Sequence, residues 1–224
     1  MRYLLLPIFL VCFNILFAQN NNQQKTDGNP ELFNQFAQQK LQKEEYDSCI
    51  FYCNKSVELL AKSNNRKLLI RALHYKGSAQ YFLDDKPKAD SNWRQALQMA
   101  LQENDYEEIT SIAPGLGAIY LDRGYLKNND AVFKTADSIF LIGYKQIMAR
   151  DSLVTLQGQR TLRLMATSLH FQKKYDSAAV YYKKVIELSR GKFTTPYLGA
   201  LSFYAEVLSI TGKHREAIAT IKEA

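Results

Sequence analysis

The chain has 224 residues, of which 46% are hydrophobic and 23% are charged, and its formal net charge is +7. The 10 glycines and 5 prolines leave few turn residues for a many-stranded sheet, and no sustained run alternates apolar with polar residues. The basic residues are scattered among acidic ones, which favours a solvated helical surface over a nucleic-acid interface.

The first predicted element is an apolar leader over residues 1–18, "MRYLLLPIFLVCFNILFA". Arg2 supplies a positive start, residues 3–17 form an apolar core, and Ala18 offers a small residue for cleavage. A membrane-spanning helix needs about 20 apolar residues. We therefore predict a secretory signal peptide and export to the periplasm or cell envelope, with an uncleaved N-terminal anchor as the alternative. No second apolar segment of that length follows in the sequence.

Residues 19–29, "QNNNQQKTDGN", form the second predicted element. They are polar and low in complexity, and a Gly and a following Pro punctuate their end. Such a composition cannot bury enough apolar surface to order the chain, so it predicts a disordered spacer.

From about residue 30 onward, apolar residues recur every three or four positions, which predicts helices throughout. Two phrases, "YDSCIFYCNKSVEL" from residue 46 and "YDSAAVYYKKVIEL" from residue 175, agree at 7 of 14 positions. Small residues keep one register through the interval, with spacings of 40, 40, 49 and 39; they are Ala37, Gly77, Gly117, Ala166 and Ala205. The first three spacings add to 129, which is the separation of the phrases (175 − 46). We interpret the phrases as second helices of the first and fourth copies of one repeat.

Small residues on both helices of a pair let their backbones approach, while a nearby aromatic ring fills the space beside them. This pattern resembles the tetratricopeptide repeat (TPR), most closely in "GSAQYFLDDKPKADSNWRQAL" and "LSFYAEVLSITGKHREAIATIKEA". The resemblance implies an all-α, right-handed α-solenoid, in which neighbouring helix pairs stack because one pair cannot bury both of its apolar faces. We expect five helix-turn-helix repeats, over about residues 30–62, 66–103, 105–149, 152–190 and 194–224.

The third spacing exceeds the second by nine residues (49 − 40). The excess falls near "SIFLIGYKQIMARDSLVTLQG", and we predict a second helix that extends to about Met148, with Asp151 or Ser152 capping the next helix. Pro87 should open a helix together with the residue before it. Pro114 should either kink its helix or mark a later start.

The sequence stops in the middle of the second helix predicted for the fifth repeat. This leaves an apolar edge, made by Leu208, Ile218 and Ile221, without the polar cap that terminal repeats normally carry. We predict that the sequence is a fragment of a longer protein, and the alternative is a short natural end.

No constellation of catalytic or metal-ligating residues is recognisable, so we predict no enzyme activity, no cofactor and no metal. The three histidines fall in separate repeats without ligand spacing and are interpreted as groove or surface residues; they are His74, His170 and His214. Cys49 and Cys53 lie four apart on one helix, where a disulfide would be strained, and are interpreted as small buried thiols. The stretch "PGLG" lacks the strand and the Gly-Lys-Ser/Thr of a phosphate loop.

The resemblance also implies a concave groove lined by the first helix of each repeat. The candidate binding residues at groove positions are Arg71, His74, Tyr75, Ser78, Tyr81, Arg160, Arg163, Thr167 and His170. Further groove positions hold Asn34, Gln38, Phe203 and Glu206. The clamp by which some TPR proteins hold a C-terminal carboxylate is missing, since Glu31, Asn34 and Gln38 occupy its places.

The mixture of basic and aromatic residues in this groove suits an extended acidic peptide or a helix of a partner protein. We therefore predict a non-enzymatic, exported protein–protein interaction module, with contact between the second and fourth repeats. The alternative is the N-terminal sensory part of a membrane signalling or transcription-regulatory protein whose remaining domains lie beyond residue 224.

Overall fold

The computed structural model describes residues 28–61 and 63–223, which form ten α-helices and no strand. The predicted leader and residues 19–27 of the predicted spacer lie outside this range. The chain divides after Asp85 into two compact units. The first contains α1 (Pro30–Gln42), α2 (Tyr46–Leu60) and α3 (Arg66–Phe82). The second contains α4 (Lys86–Gln102), α5 (Tyr106–Lys127), α6 (Asp130–Ala149), α7 (Leu156–Phe171), α8 (Tyr175–Ser189), α9 (Thr194–Ile210) and α10 (His214–Glu223).

This succession of helices joined by short turns confirms the predicted all-α class. The first helices of the five predicted repeats are α1, α3, α5, α7 and α9, and the second helices are α2, α4, α6, α8 and α10. Short connections between consecutive helices favour antiparallel neighbours, as in other helix-turn-helix repeats.

The first unit begins at a capped helix. The side-chain oxygen of Asn29 accepts hydrogen bonds from the backbone N–H groups of Glu31 and Leu32, at 3.0 and 3.3 Å. Pro30 occupies the first helical position, where its missing N–H removes no intrahelical bond. The last residue of the predicted spacer is therefore the N-cap of α1.

The core of the first unit is built from small side chains. Ala37 on α1, Cys49 and Cys53 on α2, and Ala79 on α3 are fully buried together. The two sulfur atoms are 4.0 Å apart and both cysteines are free, which confirms the interpretation of small buried thiols. Because these residues take little space, α3 packs against both α1 and α2.

The turn from each first helix to its second contains one residue with a left-handed backbone conformation. These residues are Glu44, Asp84, Asn128, Lys173 and Gly212, with φ of 60, 60, 46, 61 and 80°. The left-handed region crowds the Cβ of residues other than glycine. Asn and Asp tolerate this region, so Glu44 and Lys173 carry the greatest backbone strain.

Replacing Glu44 with glycine should raise the free energy of unfolding by about 0.5–1 kcal/mol, because relief of the left-handed strain exceeds the added entropy of the unfolded chain. Lys43 is the matched control: its φ is −90°, so glycine there gives only the entropy cost and should destabilise. Urea denaturation followed by circular dichroism measures both. If both variants lost the same free energy of unfolding, the left-handed conformation at residue 44 would not be a source of strain.

In the second unit, three glycines of α5 lie against aromatic rings of the neighbouring second helices. A Cβ atom at position 115 would lie 2.8 Å from the Trp93 ring, and one at position 124 would lie 2.7 Å from the Phe133 ring. A Cβ at Gly117 would overlap the ring of Phe140. These close approaches confirm that the glycines of "PGLG" serve helix packing.

Two predictions about prolines have different outcomes. The helix α4 begins at Lys86, one residue before Pro87, as expected for a proline in the first turn. The later start proposed for Pro114 is wrong. The helix α5 already begins at Tyr106, where the Asp105 side chain caps the N–H of Glu108 at 3.3 Å, and Pro114 lies inside it.

The additional residues between α6 and α7 fold back over the start of α7. The prediction that Asp151 or Ser152 caps this helix is wrong, because Thr155 is the N-cap and its hydroxyl accepts from the N–H of Gly158 at 3.1 Å. The buried amide of Gln159 donates to the carbonyl of Leu153 at 2.5 Å. The side-chain oxygen of Gln159 accepts a hydrogen bond from Ser189 on α8 at 3.1 Å. The buried side chain of Gln159, on α7, thus links the connection to α7 and α8.

The first helices of the second unit form a continuous face, since α7 contacts both α5 and α9. A buried cluster that includes Tyr182 and Leu162 joins α7, α8 and α9 behind this face.

The prediction of an apolar edge made by Leu208, Ile218 and Ile221 is partly wrong. Leu208 is buried, whereas Ile218 and Ile221 on α10 are exposed.

Candidate functional site

The five candidate residues of the first unit all lie on α3, but they differ in exposure. Tyr75 packs against the small-residue core, and Ser78 is buried with its hydroxyl donating to the carbonyl of His74 at 2.9 Å. Arg71 is exposed, and His74 and Tyr81 are half-buried. Tyr75 is half-buried as well, so all of this set except Ser78 present part of their side chains to solvent.

The four candidate residues of the second unit lie on one stripe of α7, spaced by three, four and three positions. Arg160 is exposed and Arg163 is half-buried. Thr167 is buried; its hydroxyl donates to the carbonyl of Arg163 at 3.0 Å and accepts from the Tyr182 hydroxyl at 3.1 Å. That these residues of α7 line one groove together with the candidates on α3 stays a prediction.

Arg163 lies flat against α9. A Cβ atom at Gly199 would lie 3.2 Å from Cδ and 3.5 Å from Nε of this arginine, so the glycine makes room for the side chain. Burial lowers the pKa of the Arg163 guanidinium, Tyr182 opposes that effect and Arg160 adds to it. Arginine nevertheless stays charged in proteins. No carboxylate among residues 28–61 and 63–223 lies within ion-pair distance of it.

His170 is buried, with 5% of its surface exposed, so it is not a surface residue, although it lines a recess between the first helices. Its ring lies 5.7 Å from Phe171 and Tyr175, 5.9 Å from Phe203 and 6.4 Å from Tyr182, measured between centroids. Burial lowers the pKa of His170, and the nearby carboxylate of Glu206 only partly opposes this effect. The imidazole is therefore neutral at neutral pH.

A cleft of about 250 Å³ opens beside His170, where the C-terminal ends of α5, α7 and α9 meet. Its lining residues are Tyr125, Asn128, Phe133, His170, Phe171, Lys173, Tyr175, Glu206 and Ile210. The rings of Tyr125 and Phe171 form one wall, with centroids 4.5 Å apart. Three first helices thus contribute to one recess, as a binding face made of stacked first helices requires.

Most residues of the cleft, and Gly199 beside Arg163, were not among the candidates named from the sequence; Tyr125 and Phe171 are the most prominent. Gly199 precedes Ala205 by six positions, as Arg160 precedes Ala166, so the same groove register reaches it. Phe171 directly follows His170 and also fits that register. Tyr125 lies near the end of α5, beyond the groove positions, and no pattern in the sequence indicated it.

Within the described part of the chain, no group of three or more His, Cys, Asp or Glu side chains could hold a metal ion. Over those same residues, none of the helices has both the length and the apolarity to cross a membrane.

Comparisons of structure assign the fold. BtubC (BKLC) from P. vanneervenii superposes with a TM-score of 0.69 at 11% identity, over 84% of this chain and 74% of that one. A putative kinesin light chain from Podospora anserina, with nearly identical TPR-like repeats, gives 0.66 at 11% identity, over 87% of this chain and 93% of that one. MamA from Desulfovibrio magneticus RS-1 gives 0.61 at 13% identity, over 87% and 92%.

No protein-family model and no curated protein matches the sequence. The structural neighbours include TPR-like repeat proteins, so the chain has a TPR-like fold, and the predicted resemblance to such repeats is confirmed at that level.

Proposed function

We propose that this chain, a TPR-like helical scaffold, binds an acidic segment of a partner protein on the face that α5, α7 and α9 form. The observation that carries the proposal is the environment of the Arg163 guanidinium. Its guanidinium is half-buried against Gly199 and has no carboxylate partner in the described part of the chain. A carboxylate from a partner would supply a charge-assisted, bidentate hydrogen bond at this position.

Arg160 adds to the same anion preference. It lies one turn before Arg163 on α7. Burial lowers the pKa of the Arg163 guanidinium, and the like charge of Arg160 adds to that effect. A bound carboxylate relieves this repulsion. The site therefore favours an acidic segment over a neutral one.

The proposed scaffold acts without catalysis and without a cofactor. Two features support this part of the proposal: the TPR-like fold and the packing roles of the buried polar side chains. Thr167 and Gln159 join α7 to α8, through hydrogen bonds with Tyr182 and Ser189.

Export to the periplasm or cell envelope is part of the same proposal and is supported by the apolar leader in the sequence. Expression with a C-terminal tag, followed by fractionation and N-terminal sequencing of the tagged protein, tests it. We expect the tagged protein outside the cytoplasm with residue 19 at its N-terminus. A cytoplasmic protein that still begins at residue 1 would contradict the export.

Replacing Arg163 with methionine should weaken binding of a fluorescein-labelled octamer of glutamate by about tenfold or more, because one charge-assisted hydrogen bond contributes about 1.5–3 kcal/mol. Methionine keeps most of the apolar stem that packs on Gly199, whereas glutamate would bury an unpaired carboxylate there. Fluorescence anisotropy measures the affinity, and thermal unfolding should stay nearly unchanged.

Arg150→Met is the matched control, since it removes the same charge from the second unit. The Arg150 guanidinium stacks on the Tyr106 ring at 4.1 Å, and Arg150 itself ends α6, a second helix. Equal losses in the two variants would mean that the octamer senses only net charge, and the assignment to Arg163 would then be abandoned.

A further inference from the structure

The cleft at the ends of α5, α7 and α9 contains a carboxylate that is not neutralised. The Glu206 side chain is 55% exposed, and its Oε1 lies 3.8 Å from Nε2 of His170, a contact that is an ion pair only when the imidazole is protonated. Nδ1 of His170 is buried without a hydrogen-bond partner. The single proton of the neutral ring therefore belongs on Nε2, facing the carboxylate. A neutral imidazole leaves the negative charge of Glu206 in place.

Aromatic rings surround the same space. Tyr125 is 60% exposed and contacts Phe171 at a centroid distance of 4.5 Å. Phe171 in turn lies edge-on to Phe203, 6.4 Å away. Ring faces carry partial negative charge, so rings next to a carboxylate attract a cation, and a planar guanidinium can stack on them.

Lys173 also lines the cleft and is the one cationic side chain among its lining residues. It is exposed, and no ion pair joins it to Glu206 within the described part of the chain. Lys173 therefore leaves the carboxylate available to a ligand.

We propose that this cleft binds an arginine side chain of a partner protein, whose guanidinium stacks on the rings of Tyr125 and Phe171 and pairs with the carboxylate of Glu206. The cleft volume of about 250 Å³ accommodates one such side chain. The site is distinct from the anion contact of Arg163.

The Arg163 site and the cleft together would bind a partner segment that carries a negative and a positive charge. This step rests on the proposed function. Arg163 and His170 are seven positions apart on α7, which is about 10 Å along the helix. An extended segment covers that distance in about three residues. A partner segment with an acidic residue and, about three positions away, an arginine would occupy both sites.

The test uses the arginine site alone. Titrating the protein with N-acetyl-arginine methylamide should shift the ring resonances of Tyr125 and Phe171 in NMR spectra, with a dissociation constant on the order of 10 mM or tighter. N-acetyl-citrulline methylamide, a neutral probe of the same shape, should bind at least about tenfold more weakly. Glu206→Gln should reduce the affinity for the arginine probe by a similar factor, with its thermal unfolding as the check on folding.

Glu187→Gln is the matched control, because it removes an exposed carboxylate from α8 outside the cleft, and it should leave the affinity unchanged. Three results would each overturn the inference: absence of ring shifts with the arginine probe, equal binding of citrulline, or an unchanged affinity in Glu206→Gln. Arg163→Met should leave the arginine probe unaffected, and Glu206→Gln should not weaken binding of the glutamate octamer. Failure of one site is thereby separated from failure of the other.

Discussion

Replacing Phe140 with alanine should lower the free energy of unfolding by about 3–5 kcal/mol, the range for removing a fully buried phenylalanine. The Phe140 ring is completely buried and occupies the space above Gly117, which joins α6 to α5. Urea denaturation followed by circular dichroism measures the loss. Leu141→Ala on the same helix is the matched control; this side chain is 42% exposed, so its loss should be about 1 kcal/mol or less.

A double-mutant cycle locates the contact. Gly117→Ala alone should destabilise the protein, because its Cβ would overlap the Phe140 ring. In the Phe140→Ala background the same methyl group enters the vacated space and should be tolerated, so the two changes should couple by about 1–3 kcal/mol. Additive effects would mean that the ring does not lie on the glycine.

Replacing Gly158 with alanine should lower the free energy of unfolding by about 1–3 kcal/mol, the usual cost of overpacking a tight site. A Cβ atom there would lie 2.6 Å from the carbonyl oxygens of both Ser152 and Leu153. These atoms belong to the backbone of the connection that folds over α7, and they cannot move aside by a rotamer change. The connection itself would have to shift.

Gly199→Ala is the opposite case in the same unit. Its nearest neighbour is Cδ of Arg163 at 3.2 Å, on a flexible side chain that can adjust. Alanine also favours a helix over glycine by up to about 1 kcal/mol. We expect Gly199→Ala to be neutral or stabilising in thermal unfolding. If Gly158→Ala and Gly199→Ala destabilised the protein equally, the proposed difference between a backbone neighbour and a side-chain neighbour would be wrong.

The sequence by itself determined the helical class and the repeat. Apolar spacing and small residues in a fixed register are local consequences of helix packing, so they can be recognised without knowledge of distant contacts. The burial of Cys49 and Cys53 followed from the same register, since the positions that require small residues are buried in any stacked pair. The start of α4 near Pro87 followed from backbone chemistry alone.

Only the tertiary structure decided which of several suitable residues caps α7. Asp151, Ser152 and Thr155 all carry side-chain oxygens that can cap a helix. The choice of Thr155 depends on the connection folding back so that Leu153 reaches the buried amide of Gln159. That contact involves packing against α8, which residues 150–155 do not reveal.

The same limit applies to the binding face. The position of His170 on the groove stripe of its own helix predicts a groove or surface residue, whereas Tyr182 of α8 and Phe203 of α9 bury it. The cleft joins Tyr125, Phe171 and Glu206 from three helices that are separated by dozens of residues in the sequence. Helix periodicity determines which side of its own helix a residue occupies, but exposure and charge pairing depend on the side chains that neighbouring helices bring to that side.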